Sequence, residues 1–183
     1  MNVPALSGAR VTLRRPVDED ADAWLNLPRD PEIVRMFGGD PALIRPKTRA
    51  QAEHWLRGLR ERAAGWAITV EERFIGEIFL HSLADHDRRA RLAVGIFAPD
   101  LLGRGLGREA IGLVLDHAFA DVGKGGLGLN RVDLRVIGFN TRAIRCYRAC
   151  GFVEEGRERE AACVAGEFHD DVIMGLLARE HRR

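Results

Sequence analysis

The sequence has no long apolar run and no excess of charge of one sign. No stretch approaches the roughly 20 consecutive apolar residues that cross a bilayer, and the N terminus lacks the apolar core of a secretion signal. We therefore expect a cytoplasmic protein that does not engage a membrane. Lys and Arg total 28 against 27 Asp and Glu, for a net charge of +1. The basic excess typical of nucleic-acid binding is missing, so we expect no nucleic-acid partner.

Cysteines are also scarce. Three cysteines in 183 residues are too few for a disulfide framework, which indicates a reducing compartment. Cys146 and Cys150 are spaced to share a helical face, but no His or acidic pair stands at ligand spacing to complete a tetrahedral set, so no metal is predicted. Internal repeats and low-complexity linkers are missing as well. Residues 1–183 are therefore predicted to form a single domain.

The first half of the chain shows a strand, three helices and then three strands. Strands are predicted at residues 10–14, 66–70, 74–80 and 92–97, and helices at 18–27, 30–38 and 48–63. Asp30 followed by Pro31 is typical of a helix start. Thr48 with Gln51 three residues later has the form of a capping box, and Gly65 is expected to end that helix. The last three strands are predicted to form an antiparallel meander.

The second half alternates helices and strands. Apolar residues at helical spacing, namely Ile111, Val114, Leu115 and Ala118, predict a long amphipathic helix that begins near Gly105. A strand at 131–137 precedes a helix from Asn140 to Gly151. Two closing strands are predicted, at residues 152–155 and 172–177.

Three glycines lie between the third meander strand and the long helix. At Gly103, Gly105 and Gly107 successive backbone N–H groups can converge in front of the positive end of the helix dipole, which favours a phosphate. Arg104 and Arg108 could add charge toward a pyrophosphate or a ribose 3′-phosphate. A plain turn before a helix is the alternative interpretation. The spacing matches neither the dinucleotide fingerprint nor the P-loop.

A mixed stripe of side chains marks the next helix. Asn140, Ala143, Ile144 and Tyr147 fall on one helical face. Asn140 is also a favoured N-cap residue, so capping is its alternative or additional role. Tyr147 is the only tyrosine in the chain, and a place in the core is its alternative role.

This order of glycine loop, strand and helix resembles the GNAT superfamily of N-acetyltransferases. The resemblance is carried by residues 92–152, and residues 140–156 are similar to the closing motif of the RimL-like and spermidine acetyltransferase branches. It implies the GNAT fold of the α/β (α+β) class. That fold has a central, mixed, mostly antiparallel twisted sheet of about seven strands, a splay between two central parallel strands, and about four flanking helices.

The resemblance also implies a coenzyme site for acetyl-CoA in the splay. The implied coenzyme contacts are the backbone of Ile96, Phe97 and Ala98, the loop residues Leu102, Gly103, Arg104, Gly105, Leu106, Gly107 and Arg108, and then Asn140 and Ala143. The Phe97 N–H would be the oxyanion donor, and Asn140 would bond the pantetheine arm. Two departures stand out: Leu102 replaces the Gln or Arg common in the family, and Ala93-Val94 lacks the glutamate that relatives often carry.

The implied reaction is transfer of an acetyl group to a primary amine by direct attack. A phenol of pKa about 10 stays protonated at neutral pH, so Tyr147 is assigned as the general acid beside the coenzyme sulfur. Neutralising an α-amine of pKa near 8 costs about 1.4 kcal/mol at pH 7, whereas a lysine-like amine costs about 4.6 kcal/mol and needs a base. Glu77 is the leading candidate for a catalytic base, ahead of Asp100, His169 and Asp170. For each of the four, an exposed structural role is the alternative interpretation.

The acceptor is expected to be a small-molecule amine or a protein N-terminus. Residues 24–39 and 161–171 mix aromatic and acidic side chains, from which Trp24, Met36, Phe37 and Asp170 are predicted to bind it. The alternative interpretation is that the aromatic side chains belong to the core and the acidic ones to a solvated rim. A polyamine or an aminoglycoside-like amine fits as well. A catalytically inactive coenzyme-binding sensor or interaction module is the alternative function. The exposed strand near the C terminus could pair in a homodimer.

Overall fold

The computed structural model describes residues 3–181, which form one mixed sheet flanked by helices. In chain order the elements are β1 (Leu6–Ser7), β2 (Thr12–Arg14), α1 (Glu19–Asn26), α2 (Pro31–Met36), α3 (Arg49–Glu61), β3 (Ala64–Val70), β4 (Arg73–Ala84), β5 (Arg89–Ile96), α4 (Leu106–Phe119), β6 (Arg131–Ile137), α5 (Thr141–Ala149), β7 (Val153–Val164) and β8 (Glu167–Leu177). The sheet order is β1-β2-β3-β4-β5-β6-β8-β7. Every pair is antiparallel except β5 with β6. The predicted fold class is confirmed, with one strand and one helix more than expected.

Local capping fixes the helix starts as predicted. The Asp30 carboxylate accepts a hydrogen bond from the Ile33 N–H at 2.9 Å, with Pro31 in the first turn. Thr48 and Gln51 form both bonds of the capping box. Gly65 does not end α3, because it lies inside β3. A Cβ there would stand 2.8 Å from the Leu59 carbonyl oxygen, so this glycine lets the strand pass close to the helix end.

The closing hairpin is longer than predicted. β7 and β8 run for 12 and 11 residues and cover most of the segment from 153 to 177. The charged run at 154–160 has no apolar alternation because β7 is the outer strand of the sheet and most of its side chains face solvent. The predicted exposed strand near the C terminus is therefore the full length of β7.

The two central parallel strands pair only at their beginning. β5 meets β6 at Arg89–Arg131, Ala90–Val132 and Arg91–Asp133, and no further pair follows. Beyond that point β5 stays with β4 as far as Ile96, while β6 stays with β8 as far as Ile137. The strands therefore separate in a V, which confirms the predicted splay.

The two faces of the sheet are covered unequally. On one face, Ile78, Leu92 and Leu134 pack with Ile111 and Leu115 of α4 in the main core. On the other face, Ala21 of α1 packs with Ala52 and Leu56 of α3 in a smaller cluster. Among the described residues no helix is long and apolar enough to cross a membrane.

A single carboxylate joins the start of α4 to the segment before β2. Glu109 accepts the backbone N–H groups of Arg10 at 2.7 Å and Val11 at 3.0 Å, and also the Arg10 Nε–H at 3.0 Å. Arg10 in turn donates to the Arg104 carbonyl at 2.9 Å. Burial raises the pKa of Glu109, but these hydrogen bonds and the Arg10 charge outweigh it and leave the pKa below its usual range. The contact therefore positions the glycine loop as well as the helix.

We expect Glu109→Gln to lower the free energy of unfolding at pH 7 by about 1–3 kcal/mol, because charge-assisted bonds to two backbone N–H groups and to the Arg10 guanidinium are lost. The folded state holds the Glu109 proton less tightly than the unfolded chain does. Its contribution is therefore full above about pH 4.5 and lost as the pH falls through the lowered value. Urea unfolding from pH 3 to pH 7 should show a flatter pH dependence for the variant. The exposed Glu53→Gln in α3 is the control, and an equal effect of both variants would contradict the assignment.

Candidate active site

The splay opens into a cleft of about 860 Å³. Its walls come from β5, the glycine loop (residues 102–108), the end of β6, α5, α2 and the β7–β8 hairpin. The predicted site residues that line it are Met36, Phe37, Ile96, Leu102, Gly103, Gly105, Leu106, Gly107, Arg108, Asn140, Ala143 and Tyr147. The cleft therefore brings together the loop, the helix stripe and part of the predicted acceptor region. Trp24, Glu77, Phe97, Ala98, Arg104 and Asp170 lie outside this lining.

The glycine loop has the form of an anion cradle. Gly103 and Gly105 adopt φ values of 74° and 80°, where a side chain would be strained, while a Cβ at Gly103 would meet no atom within 4 Å. Gly105 precedes α4 as its N-cap and offers no side-chain cap. The N–H groups of residues 106–108 are therefore left without helical partners. They stand at the positive end of a 14-residue helix, an arrangement suited to a phosphate group.

Asn140 performs the predicted capping role and a second one. Its side-chain oxygen accepts the Ala143 N–H at 3.1 Å, and its Nδ2 donates to the Met36 carbonyl at 3.3 Å. One hydrogen bond of this side-chain amide therefore caps α5, and the other links α5 to the end of α2. A single Nδ2–H remains for any ligand in the cleft.

Tyr147 faces the cleft from α5 and packs edge-on against Phe152, with ring centroids 6.0 Å apart. Burial raises the pKa of Tyr147 above its usual range, so the phenol stays protonated. Cys146 lines the same wall, and the Cys150 sulfur lies 3.9 Å from the Arg108 carbonyl oxygen. Within residues 3–181, no group of three or more His, Cys, Asp or Glu side chains is placed to hold a metal.

The backbone of β5 departs from the expected donor pattern. The Phe97 N–H, expected to be the oxyanion donor, donates instead to the Ile75 carbonyl at 2.7 Å. Successive amides of a strand point to opposite edges, so the N–H of Ile96 is the one directed at the splay. Ala98 is fully buried, and its carbonyl is used by the turn at Pro99–Leu101.

Glu77 does not line the cleft, and two aromatic rings crowd the glycine that is paired with it. It lies opposite Gly95 on the neighbouring strand, and a Cβ at Gly95 would stand 2.7 Å from Phe97 and 2.9 Å from Phe37. The Glu77 carboxylate accepts the Trp55 indole N–H at 2.7 Å. Burial raises the pKa of Glu77, a shift that the Trp55 bond and the Arg62 charge oppose. The expected base therefore belongs to an aromatic cluster beneath α3.

Trp24 belongs to that same cluster, which places it outside the cleft. Its ring stacks on Trp55 with centroids 5.6 Å apart and planes inclined by 11°. The Lys47 ammonium lies 4.3 Å over the Trp24 ring and also donates to the Trp24 carbonyl. Of the predicted acceptor residues, only Met36 and Phe37 contribute directly to the cleft wall, and Phe37 is 57% exposed.

The remaining base candidates are partnered elsewhere. Asp100 accepts two bonds from Arg73, at 2.7 and 2.9 Å, and this pairing lowers the pKa of Asp100. His169 packs edge-on against Phe139. Asp170 accepts the Glu160 N–H at 3.0 Å, whereas its neighbour Asp171 lines the cleft.

Several residues that line the cleft were not predicted from the sequence. Arg91, Arg135 and His81 line the part of the cleft where β5 and β6 part. Arg91 and Arg135 point to the same face as Asp133 and Asp171, with which they form ion pairs. Alternation within β5 and β6 could have placed these arginines on one face, but only the strand order brings them together.

Comparison with known proteins agrees with this geometry. A family model described as "Acetyltransferase (GNAT) domain" matches residues 10–153. A Bacillus licheniformis protein named uncharacterized N-acetyltransferase p20 is 27% identical over 180 residues, which cover 94% of this chain and 95% of that one. The spermidine N(1)-acetyltransferase of Vibrio cholerae serotype O1 is 31% identical over 112 residues, 61% of each chain.

Solved structures show the same fold. Spermidine N-acetyltransferase from Vibrio cholerae, in complex with CoA and spermine, superposes with a TM-score of 0.76 at 24% identity, over 94% of this chain and 98% of that one. The GNAT family acetyltransferase from Bacillus anthracis gives a TM-score of 0.79 at 17% identity, over 97% and 100% of the two chains. Because the family model spans most of the sequence and the splayed sheet carries the matching loop, the chain belongs to the GNAT acetyltransferase family.

Proposed function

We propose that this chain transfers an acetyl group from acetyl-CoA to a primary amine by direct attack of the amine. One observation carries the proposal: the uncapped start of α4 and the protonated phenol of Tyr147 open onto the same cleft. An anion site and a phenol O–H donor on the walls of one cleft are what a phosphate-bearing thioester requires. Membership of an acetyltransferase family supports the same reaction.

The residues present fit the coenzyme. The N–H groups of residues 106–108 would hold its pyrophosphate, with Arg108 beside them. The apolar Leu102 gives up a polar side-chain contact common in the family, so main-chain donors would carry most of the binding. The remaining Nδ2–H of Asn140 would bond the pantetheine arm. Ala143 leaves that arm room along α5.

Bound acetyl-CoA would supply an activated acetyl thioester: the amine nitrogen would form a bond to its carbonyl carbon, the C–S bond would break to release the coenzyme thiolate, and the proton lost by the amine would pass to water. Tyr147 would direct its O–H toward the sulfur. Even an ordinary phenol is less acidic than a thiol of pKa about 8.5, by about 2 kcal/mol, and burial widens that gap. The phenol therefore acts as a hydrogen-bond donor that strengthens as charge develops on sulfur. The Ile96 N–H would stabilise the carbonyl oxygen.

No free carboxylate faces this reaction centre. Asp171 is the only acidic side chain that lines the cleft within residues 3–181, and it is paired with Arg135 at 3.1 Å. An α-amine of pKa near 8 needs only about 1.4 kcal/mol to lose its proton at pH 7. We therefore propose that the acceptor amine has a low pKa and reacts without Glu77 as its base.

Binding of the coenzyme depends on the left-handed loop. We expect Gly105→Ala to weaken CoA binding about fivefold or more, because a side chain at φ 80° costs about 1–2 kcal/mol. Isothermal titration with CoA measures the dissociation constant. Gly112→Ala within α4, where a Cβ would meet no atom within 4 Å, is the matched control. Unchanged affinity in Gly105→Ala would contradict the cradle.

The role of the Tyr147 hydroxyl is tested with Tyr147→Phe. We expect kcat to fall about a hundredfold while the KM for acetyl-CoA stays nearly constant, since only the hydrogen-bond donor to the leaving sulfur is removed. Thiol release from acetyl-CoA against a panel of amines gives both constants. Tight CoA binding by the unaltered protein without turnover of any amine would favour the alternative function, a coenzyme-binding module that does not catalyse.

The pH dependence separates the two possible routes for the amine proton. We expect kcat/KM with an α-amine acceptor to rise with pH and level off near the pKa of the amine, about 8. Glu77→Gln should keep this profile and stay within about threefold of the original rate, because its amide can still accept the Trp55 bond. A hundredfold loss of kcat/KM, together with the disappearance from its pH profile of an ionisation at lower pH than that of the amine, would show that Glu77 is the base.

A further inference from the structure

The point where β5 and β6 part presents an arginine fork to the cleft. The Arg91 Nε–H donates to the Asp133 carboxylate at 2.7 Å, and Asp133 is only 4% exposed. This is the only side-chain hydrogen bond of Arg91 within residues 3–181. Both terminal nitrogens of the guanidinium are therefore free to donate. The bond from Nε to the buried Asp133 carboxylate fixes the position of the side chain. A planar fork of this kind matches a carboxylate in two-point contact.

A second arginine is built in the same way. Arg135 pairs through Nε with Asp171, which is 4% exposed, and one terminal nitrogen donates to Glu158 at 3.1 Å. The buried acids compensate the arginine charge, so the two side chains act as fixed donors. A polyamine would need free carboxylates here, whereas an acidic group would find N–H donors. This part of the cleft therefore favours an acceptor that carries negative charge away from its amine.

The distance between Arg91 and the Ile96 N–H limits which acceptors can reach both. Ile96 lies five positions after Arg91 along β5, a rise of about 17 Å. Ala93 between them adds only a methyl group, and the exposed Phe37 forms a wall. A free amino acid is too short for this span. An extended peptide advances about 3.4 Å per residue, and the Arg91 side chain shortens the gap, so the third to fifth residues of a peptide come within reach.

We propose that Arg91 binds a carboxylate of the acceptor, and that the chain acetylates the α-amine of peptides with an acidic residue at positions three to five. This rests on the proposed acetyl transfer. It adds a specificity-determining residue and a substrate class to that function.

The experiment compares peptides that differ by one group. Five-residue peptides carry glutamate, glutamine or lysine at position four, in an otherwise uncharged sequence with a free N terminus, and spermidine is run beside them. For the unaltered protein, kcat/KM should be about tenfold higher for glutamate than for glutamine, and lower still for lysine and spermidine. In Arg91→Gln the ratio of glutamate to glutamine should fall to near one. The binding of each peptide to the CoA-loaded protein, measured by titration, should follow the same order.

Arg89→Gln is the matched control, because Arg89 lies on the same strand, is exposed and does not line the cleft. It should keep the full preference, and melting temperatures show whether either variant is unfolded. Equal rates with glutamate and glutamine, or a preference that survives in folded Arg91→Gln, overturn the inference and leave the acetyl transfer standing. Release of thiol with none of the acceptors would instead remove the proposed function itself.

Discussion

The separation of β5 from β6 is the constraint on which the rest of the site depends. Two neighbouring strands in the middle of a sheet give up their mutual hydrogen bonds after the Arg91–Asp133 pair. Their backbone donors and acceptors then need other partners, because an unpaired polar group out of water is costly. Behind the gap, α4 packs against both strands. A cleft lined by main-chain groups follows directly.

The start of α4 gives that cleft a set of unpaired main-chain donors. Left-handed backbone at Gly103 and Gly105 turns the chain, and the first N–H groups of the helix remain unpaired. The Glu109 carboxylate and Arg10 link this arrangement to the segment before β2. The helix dipole, the loop conformation and the Glu109–Arg10 contact thus act on the same few residues.

Local sequence rules predicted much of the fold and the helix caps beside the cleft. The caps at Asp30, Thr48 and Asn140 depend on residues three positions apart, so they can be recognised without the structure. Gly65 was assigned wrongly because its role is the close passage of β3 past α3. The extent of β7 was also missed, since an outer strand exposed on both sides carries no apolar period.

The other half of the site was harder to predict because it depends on distant contacts. The direction of the Phe97 N–H follows from its pairing with β4. The surroundings of Glu77 depend on the aromatic rings that pack on Gly95, its partner on the neighbouring strand. The orientation of Arg91 is set by Asp133, 42 residues away. None of these relations has a fixed spacing along the chain. They arise only when the strand order is known.

The two bonds made by the Asn140 amide link the walls of the cleft mechanically. The oxygen of this amide belongs to the start of α5, and its nitrogen holds the carbonyl of Met36, the residue before the exposed ring of Phe37. The Arg142 guanidinium also donates to the Glu32 carboxylate at 2.9 Å, and this ion pair joins the same two helices. A displacement of α5 must therefore either carry the end of α2 with it or break these bonds. The positions of α2 and α5, which form two walls of the cleft, are therefore mechanically coupled.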